Sequence, residues 1–128
     1  MLFRIILLIL IHAAGDFLLQ GSGLSTLKSQ KRIYLIVHVA IYTAMLIILS
    51  PLLLGLSFMQ GLFFGLVNGL AHLIVDFITT YLKNKFWEKN EAAYITVISF
   101  DHIIHLLILI GSFIYMYPEI FSSTMHLD

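Results

Sequence analysis

The chain has 128 residues, 60% of them hydrophobic and 11% charged, with a mean hydropathy of +1.00 and a formal net charge of zero. Such a composition lies far outside the soluble globular range and predicts an integral membrane protein, with no basic surface for nucleic acid. Cysteine is absent, which excludes disulfides, thiolate metal sites and a cysteine nucleophile, so any metal would be held by nitrogen and oxygen.

Apolar runs of about 18 to 23 residues, the length a bilayer core requires, fall at roughly 2–20, 33–54, 60–82 and 95–117. They predict an all-α fold, a polytopic bundle of four transmembrane helices forming a single domain over residues 1–128. The first run imitates a signal peptide, with Arg4, an apolar stretch and then Ala13, Ala14 and Gly15. It also carries His12 and Asp16, which match His/Asp pairs further along, so it is read as a retained helix.

Residues 21–32, GSGLSTLKSQKR, break helix with glycine and serine and keep Lys28, Lys31 and Arg32 in water. The second and third runs meet at SPLLLGLS, residues 50–57, which predicts an uncharged tight turn around Pro51 and Gly55. The third connection, KNKFWEKNEAAY at 83–94, mixes Lys83, Lys85 and Lys89 with Phe86, Trp87 and Tyr94, aromatics suited to the headgroup layer. Six of the seven basic residues lie in the first and third connections, leaving Arg4 on the other side. The positive-inside rule then puts those two loops in the cytoplasm and both termini outside.

Among the ionisable residues within these runs, four histidines and three aspartates stand out: His12 and Asp16, His38, His72 and Asp76, and Asp101 and His105. Such groups are costly in lipid and face a bundle interior, a partner or a ligand. Counted from the cytoplasmic end of each run at ~1.5 Å per residue, they lie about 6 to 15 Å in. Because alternate helices run in opposite directions, spacing alone does not force that agreement, and the seven read as one polar layer in the cytoplasmic half of the membrane. His12, Asp16 and Gln20 share one stripe, as do Asn68, His72 and Asp76. Gly61, Gly65 and Gly69 recur beside the latter stripe, and a glycine ridge lets helices approach closely, so this side of the helix faces the bundle.

Imidazole and carboxylate from facing helices are how bundles build metal centres when thiolate is absent. The seven residues are therefore candidate ligands for a divalent metal ion, zinc, iron or manganese, either one ion or two sharing a carboxylate. Gln20, Tyr42, Asn68 and His102 are candidate orienting groups around them. No lysine or arginine is expected at this depth, Lys28 and Lys83 being read as loop charges, so the aspartates would be balanced by metal or by protonated histidine. As an enzyme, the protein would be a metal-dependent hydrolase, with metal-activated water attacking a membrane-embedded ester or phosphoester. Three rivals stand beside it: an ion or proton pathway requiring a homo-oligomer or a membrane partner protein, bis-histidine haem between His38 and His105, and an accessory subunit whose layer only hydrogen-bonds the helices together.

Taken in order, the elements His12-x-x-x-Asp16-Phe17-x-Leu19-Gln20, Lys28, His38, Asn68-x-x-x-His72-x-x-x-Asp76 and Asp101-x-x-x-His105 resemble a family of small bacterial membrane proteins, the domain-of-unknown-function family 3307. The resemblance covers nearly the whole chain. It implies a four-helix, multi-pass protein of the bacterial cytoplasmic membrane and no established activity. A glutamine often follows the last aspartate in that family, where this chain has His102. A looser similarity links the chain to bacterial membrane proteins regarded as metal-dependent hydrolases, which also place His-x-x-x-Asp in membrane helices. The early His-Arg and Thr-His elements of that group are missing here.

Overall fold

A computed structural model of the chain describes residues 1–21 and 32–123, with the side chains of 17–21 outside the description. Gln20 as a side chain, Lys28 and Lys31 therefore lie outside the described residues. The described part is helical: α1 (Leu2–Gly21), α2 (Arg32–Leu54), α3 (Phe58–Phe86), α4 (Glu91–Met116) and the short α5 (Pro118–Ser122). Three of them, α2, α3 and α4, are long and apolar enough to cross a membrane. Large apolar side chains cover the outside, including Leu70 at 62% and Leu107 at 66% exposure, while Asp76 is wholly enclosed. Polar inside and apolar outside is the reverse of the arrangement water selects.

The element boundaries differ from those read in the sequence at two connections. Pro51 is not in a turn but within the last turn of α2, and the connection is confined to Gly55, Leu56 and Ser57. Its reversal uses the left-handed conformation of Gly55, φ 78°, which a side chain would strain. Ser57 then caps α3 with a reciprocal pair of bonds, Gln60 N–H donating to Ser57 Oγ at 3.1 Å and Ser57 N–H to Gln60 Oε1 at 2.9 Å. At the other end α3 runs on to Phe86, and Asn90 caps α4 by accepting from Ala93 N–H at 3.0 Å. Lys83 and Lys85 consequently belong to the last turns of α3, not to a loop.

Consecutive long helices are antiparallel neighbours, α2 packing on α1 and α3, α3 on α4, and α4 more sparsely on α1. The glycine ridge of α3 faces α2. A Cβ at Gly65 would stand 2.5 Å from Ile47 Cγ1 and 3.3 Å from the Thr43 carbonyl oxygen, and one at Gly69 would overlap the Thr43 side chain. These two backbones are as close as they are because glycine occupies the crossing. An apolar core of Leu8, Leu46, Leu54, Phe64, Leu109 and Phe113 fills the half of the molecule near the Gly55 connection. At that same end the buried Arg4 reaches across to α5, its Nη2 donating to Ser123 Oγ at 3.0 Å and its Nη1 to the Ser123 carbonyl. The buried histidines and aspartates are gathered in the opposite half.

Candidate metal centre

Asp76 is the hub. On α3 it follows His72 by one turn, and its carboxylate is enclosed by α2 and α4 as well as by its own helix. One face is completed by α2: His38 Nε2 and His72 Nε2 are 3.1 Å apart, and each stands 3.4 Å from Asp76 Oδ2. The other face belongs to α4, whose His105 Nε2 lies 2.9 Å from Asp76 Oδ1 and 3.2 Å from Asp101 Oδ1. Two buried triads result, His38/His72/Asp76 and Asp76/Asp101/His105, each with its donor atoms close enough together to hold one metal ion.

The rings are fixed by stacking as well as by polar contacts. His72 lies between Tyr42, with centroids 4.1 Å apart, and His105, with centroids 3.9 Å apart and planes 14° from parallel. Ring contacts on both faces restrict rotation of the imidazole, whose Nε2 stands 3.4 Å from Asp76 Oδ2. Tyr42, expected as an orienting group, meets His72 through its ring face.

Helix α1 stands at the margin. His12 is buried, with ring centroids 6.2 Å from His72 and 5.9 Å from His105. Its Nε2 is 3.4 Å from Asp16 Oδ2, too poorly aligned for a hydrogen bond, and neither ring nitrogen has a hydrogen-bond partner among the described residues. Asp16 is partly exposed at the seam between α1 and α4, where His102 Nε2 comes to 4.0 Å from it. The other His102 nitrogen is tied to the Ile98 carbonyl at 2.9 Å, and the ring is mostly exposed. Asn68 is buried away from the triads, donating to Ser112 Oγ and to the Phe64 carbonyl, both at 3.0 Å.

One expectation about charge is overturned. Lys83 is not an ordinary loop charge: its Nζ reaches back to Asp101 Oδ2 at 3.4 Å, with the lysine side chain largely buried. Thr79, which had drawn no notice in the sequence, donates to Asp101 Oδ1 at 2.8 Å. Both lie on the continuation of the Asp76 stripe, three and seven residues further on, and that spacing was the available signal. An aliphatic stem lets lysine reach inward from a helix end, so counting it with the loop misplaced its charge.

Fold and site together define an all-helical protein with membrane-length helices and a buried histidine–aspartate cluster of metal-ligating type. The chain belongs to the family described as protein of unknown function (DUF3307), which matches residues 4–127. No curated protein and no solved structure matches it.

Proposed function

We propose that this is a four-helix integral membrane protein that binds a divalent metal ion, zinc, iron or manganese, at His38, His72 and Asp76. The observation that carries the reading is the triangle of donor atoms, with edges of 3.1, 3.4 and 3.4 Å. Metal–ligand distances of ~2.0 to 2.1 Å in tetrahedral geometry put neighbouring ligand atoms roughly 3.3 to 3.4 Å apart. Three donors from two helices thus form one face of a tetrahedron before any ion arrives. A set of two imidazoles and one carboxylate leaves a coordination position open, as catalytic sites do and closed structural sites do not.

In this reading α1 crosses the bilayer with the other three helices, both termini lie outside, and the cluster sits in the cytoplasmic half of the membrane. The distribution of lysine and arginine supports that orientation. An ion with an open position polarises an oxygen of a substrate and lowers the pKa of water. Hydrolysis of an ester or phosphoester of a membrane lipid is the activity that matches a cluster at this depth. His12 and Asp16 stand where α1 meets α4, a sparsely packed seam among the described residues, and support access from that side. Bis-histidine haem fits poorly, because Asp76 lies within 3.4 Å of His38 and 2.9 Å of His105, in the space a macrocycle would need between them.

A second reading has an observation of its own. Lys83, Asp101, His105, Asp76, His72 and His38 follow one another at 2.9 to 3.4 Å, a continuous line of ionisable groups suited to passing protons. Metal analysis of protein purified in detergent without chelator separates the two. The metal reading expects about one ion or more per chain and its loss in His72→Ala. Less than ~0.2 ion per chain, with thermal stability unmoved by added zinc, iron or manganese, overturns it. Phosphate release from phosphatidic acid in mixed micelles tests the hydrolase separately, and metal-loaded protein that releases none overturns that activity.

A further inference from the structure

The second triad raises the question of what Asp101 and His105 do beside a site that His38, His72 and Asp76 already complete. We propose that the centre is dinuclear: Asp76 bridges two divalent cations, Oδ2 serving the ion held by His38 and His72 and Oδ1 the ion held by His105 and Asp101.

Three observations converge on this, and they rest on the metal reading above. First, the two oxygens of Asp76 are divided between different partners, Oδ2 facing His38 and His72 at 3.4 Å each and Oδ1 facing His105 at 2.9 Å. A carboxylate serving one ion would turn both oxygens, or one alone, toward a single set of donors. Second, the rings of His72 and His105 are stacked face to face, 3.9 Å between centroids and 14° from parallel. Two parallel imidazoles that each direct Nε2 at a different oxygen of one carboxylate set two coordination sites side by side. Their separation is then close to that of the rings, and paired metal ions in two-metal sites lie about 3.5 to 4 Å apart. Third, the His105 Nε2 has two carboxylate oxygens within reach, Asp76 Oδ1 at 2.9 Å and Asp101 Oδ1 at 3.2 Å. A single ring N–H cannot be directed well at both, whereas a cation between the three donors satisfies all of them at once.

The remaining contacts suit a ligand in Asp101. Its Oδ1 takes the Thr79 hydroxyl at 2.8 Å and its Oδ2 the Lys83 ammonium at 3.4 Å, which orients the carboxylate with Oδ1 3.2 Å from His105 Nε2. His12, buried on α1, has its ring centroid 6.2 Å from that of His72 and 5.9 Å from that of His105, close to both sites.

Manganese(II) titration of the metal-free full chain in detergent, read by bound metal per chain and by electron paramagnetic resonance, tests the proposal. Wild-type protein is expected to take two ions and to show the exchange-coupled spectrum of a bridged pair. Asp101→Asn, which keeps the shape of the side chain, is expected to weaken the second ion at least tenfold and to leave a single uncoupled manganese at limiting metal. His105→Gln serves as the independent second variant, with circular dichroism establishing that each is folded. Saturation at one ion per chain overturns the dinuclear centre and leaves the single-ion site standing, and binding of neither manganese nor, in a parallel titration, zinc or iron(II) overturns both. Two ions without coupling overturn the Asp76 bridge, as does a second ion that survives in both variants.

Discussion

Lys83 Nζ and Asp101 Oδ2 are 3.4 Å apart across the interface of α3 and α4. The pair closes the polar cluster on the side nearest the α3–α4 connection. Lys83→Met removes the cation and leaves a carboxylate held by Thr79 and His105. It is expected to lower stability in detergent by about 1 to 3 kcal/mol, measured by thermal unfolding. The double variant Lys83→Met/Asp101→Asn is expected to lose less than the sum of the two single changes, and strict additivity would show that the pair is not coupled.

The sandwich of His72 between Tyr42 and His105 separates packing from hydrogen bonding at the site. Tyr42→Phe keeps the stacked ring and is expected to keep metal affinity within a factor of about two, whereas Tyr42→Ala frees the imidazole and is expected to weaken binding roughly 10- to 100-fold. Isothermal titration with zinc reads both, and equal losses in the two variants would mean that the hydroxyl, not the ring face, positions His72.

Glycine at the α2–α3 crossing is expected to be irreplaceable where the backbones touch and replaceable elsewhere. Gly65→Ala drives a methyl against Ile47 Cγ1 at 2.5 Å, and should cost about 1 to 3 kcal/mol. A methyl at Gly111 meets nothing within 4 Å, so Gly111→Ala is expected to be neutral or to stabilise α4 by up to ~1 kcal/mol. Thermal unfolding of the two variants side by side gives the comparison.

Arg4 binds α5 to the start of α1 at the end of the molecule remote from the cluster. Arg4→Met should release the short helix while leaving the triads in place. Faster amide hydrogen exchange around Phe121, with unchanged metal content, is the expected result. A loss of metal in this variant would show that the two ends of the molecule are coupled.

Stripping with a chelator and adding back metal checks the centre as a whole. An ion bound at 100 times its dissociation constant adds about 2.7 kcal/mol to the folded state. The metal-free chain is therefore expected to unfold at lower temperature and to recover on addition of zinc, while Asp76→Ala shows no such recovery.

Much of this was legible in the order of residues alone. Helix identity follows from apolar runs of bilayer length, the antiparallel order of α2, α3 and α4 from short connections, and the grouping of His38, His72, Asp76, Asp101 and His105 from equal depth along those helices. The glycine spacing on α3 marked a tightly packed side, and α2 is what it packs against. These features are periodic, and the 1.5 Å rise and 100° turn of a helix convert periodicity directly into position.

What the sequence could not supply is everything that depends on how one helix is rotated and shifted against another. Residue spacing places Asp76 on a face, but only the packing of α2 and α4 on opposite sides of α3 gives each of its two oxygens a different histidine. Spacing makes His12 the equal of His38, yet α1 packs so that His12 stays at the rim while His38 enters a triad. Lys83 reads as a loop charge in the sequence because the end of α3 is set by backbone bonding past it, Trp87 N–H donating to the Lys83 carbonyl at 2.9 Å, and because a long flexible side chain can reach inward from a helix end. Helical periodicity is a one-dimensional code for which groups are buried together; which atoms meet is decided by interhelical distances of a few ångströms, which depend on the packing of every side chain at the crossing.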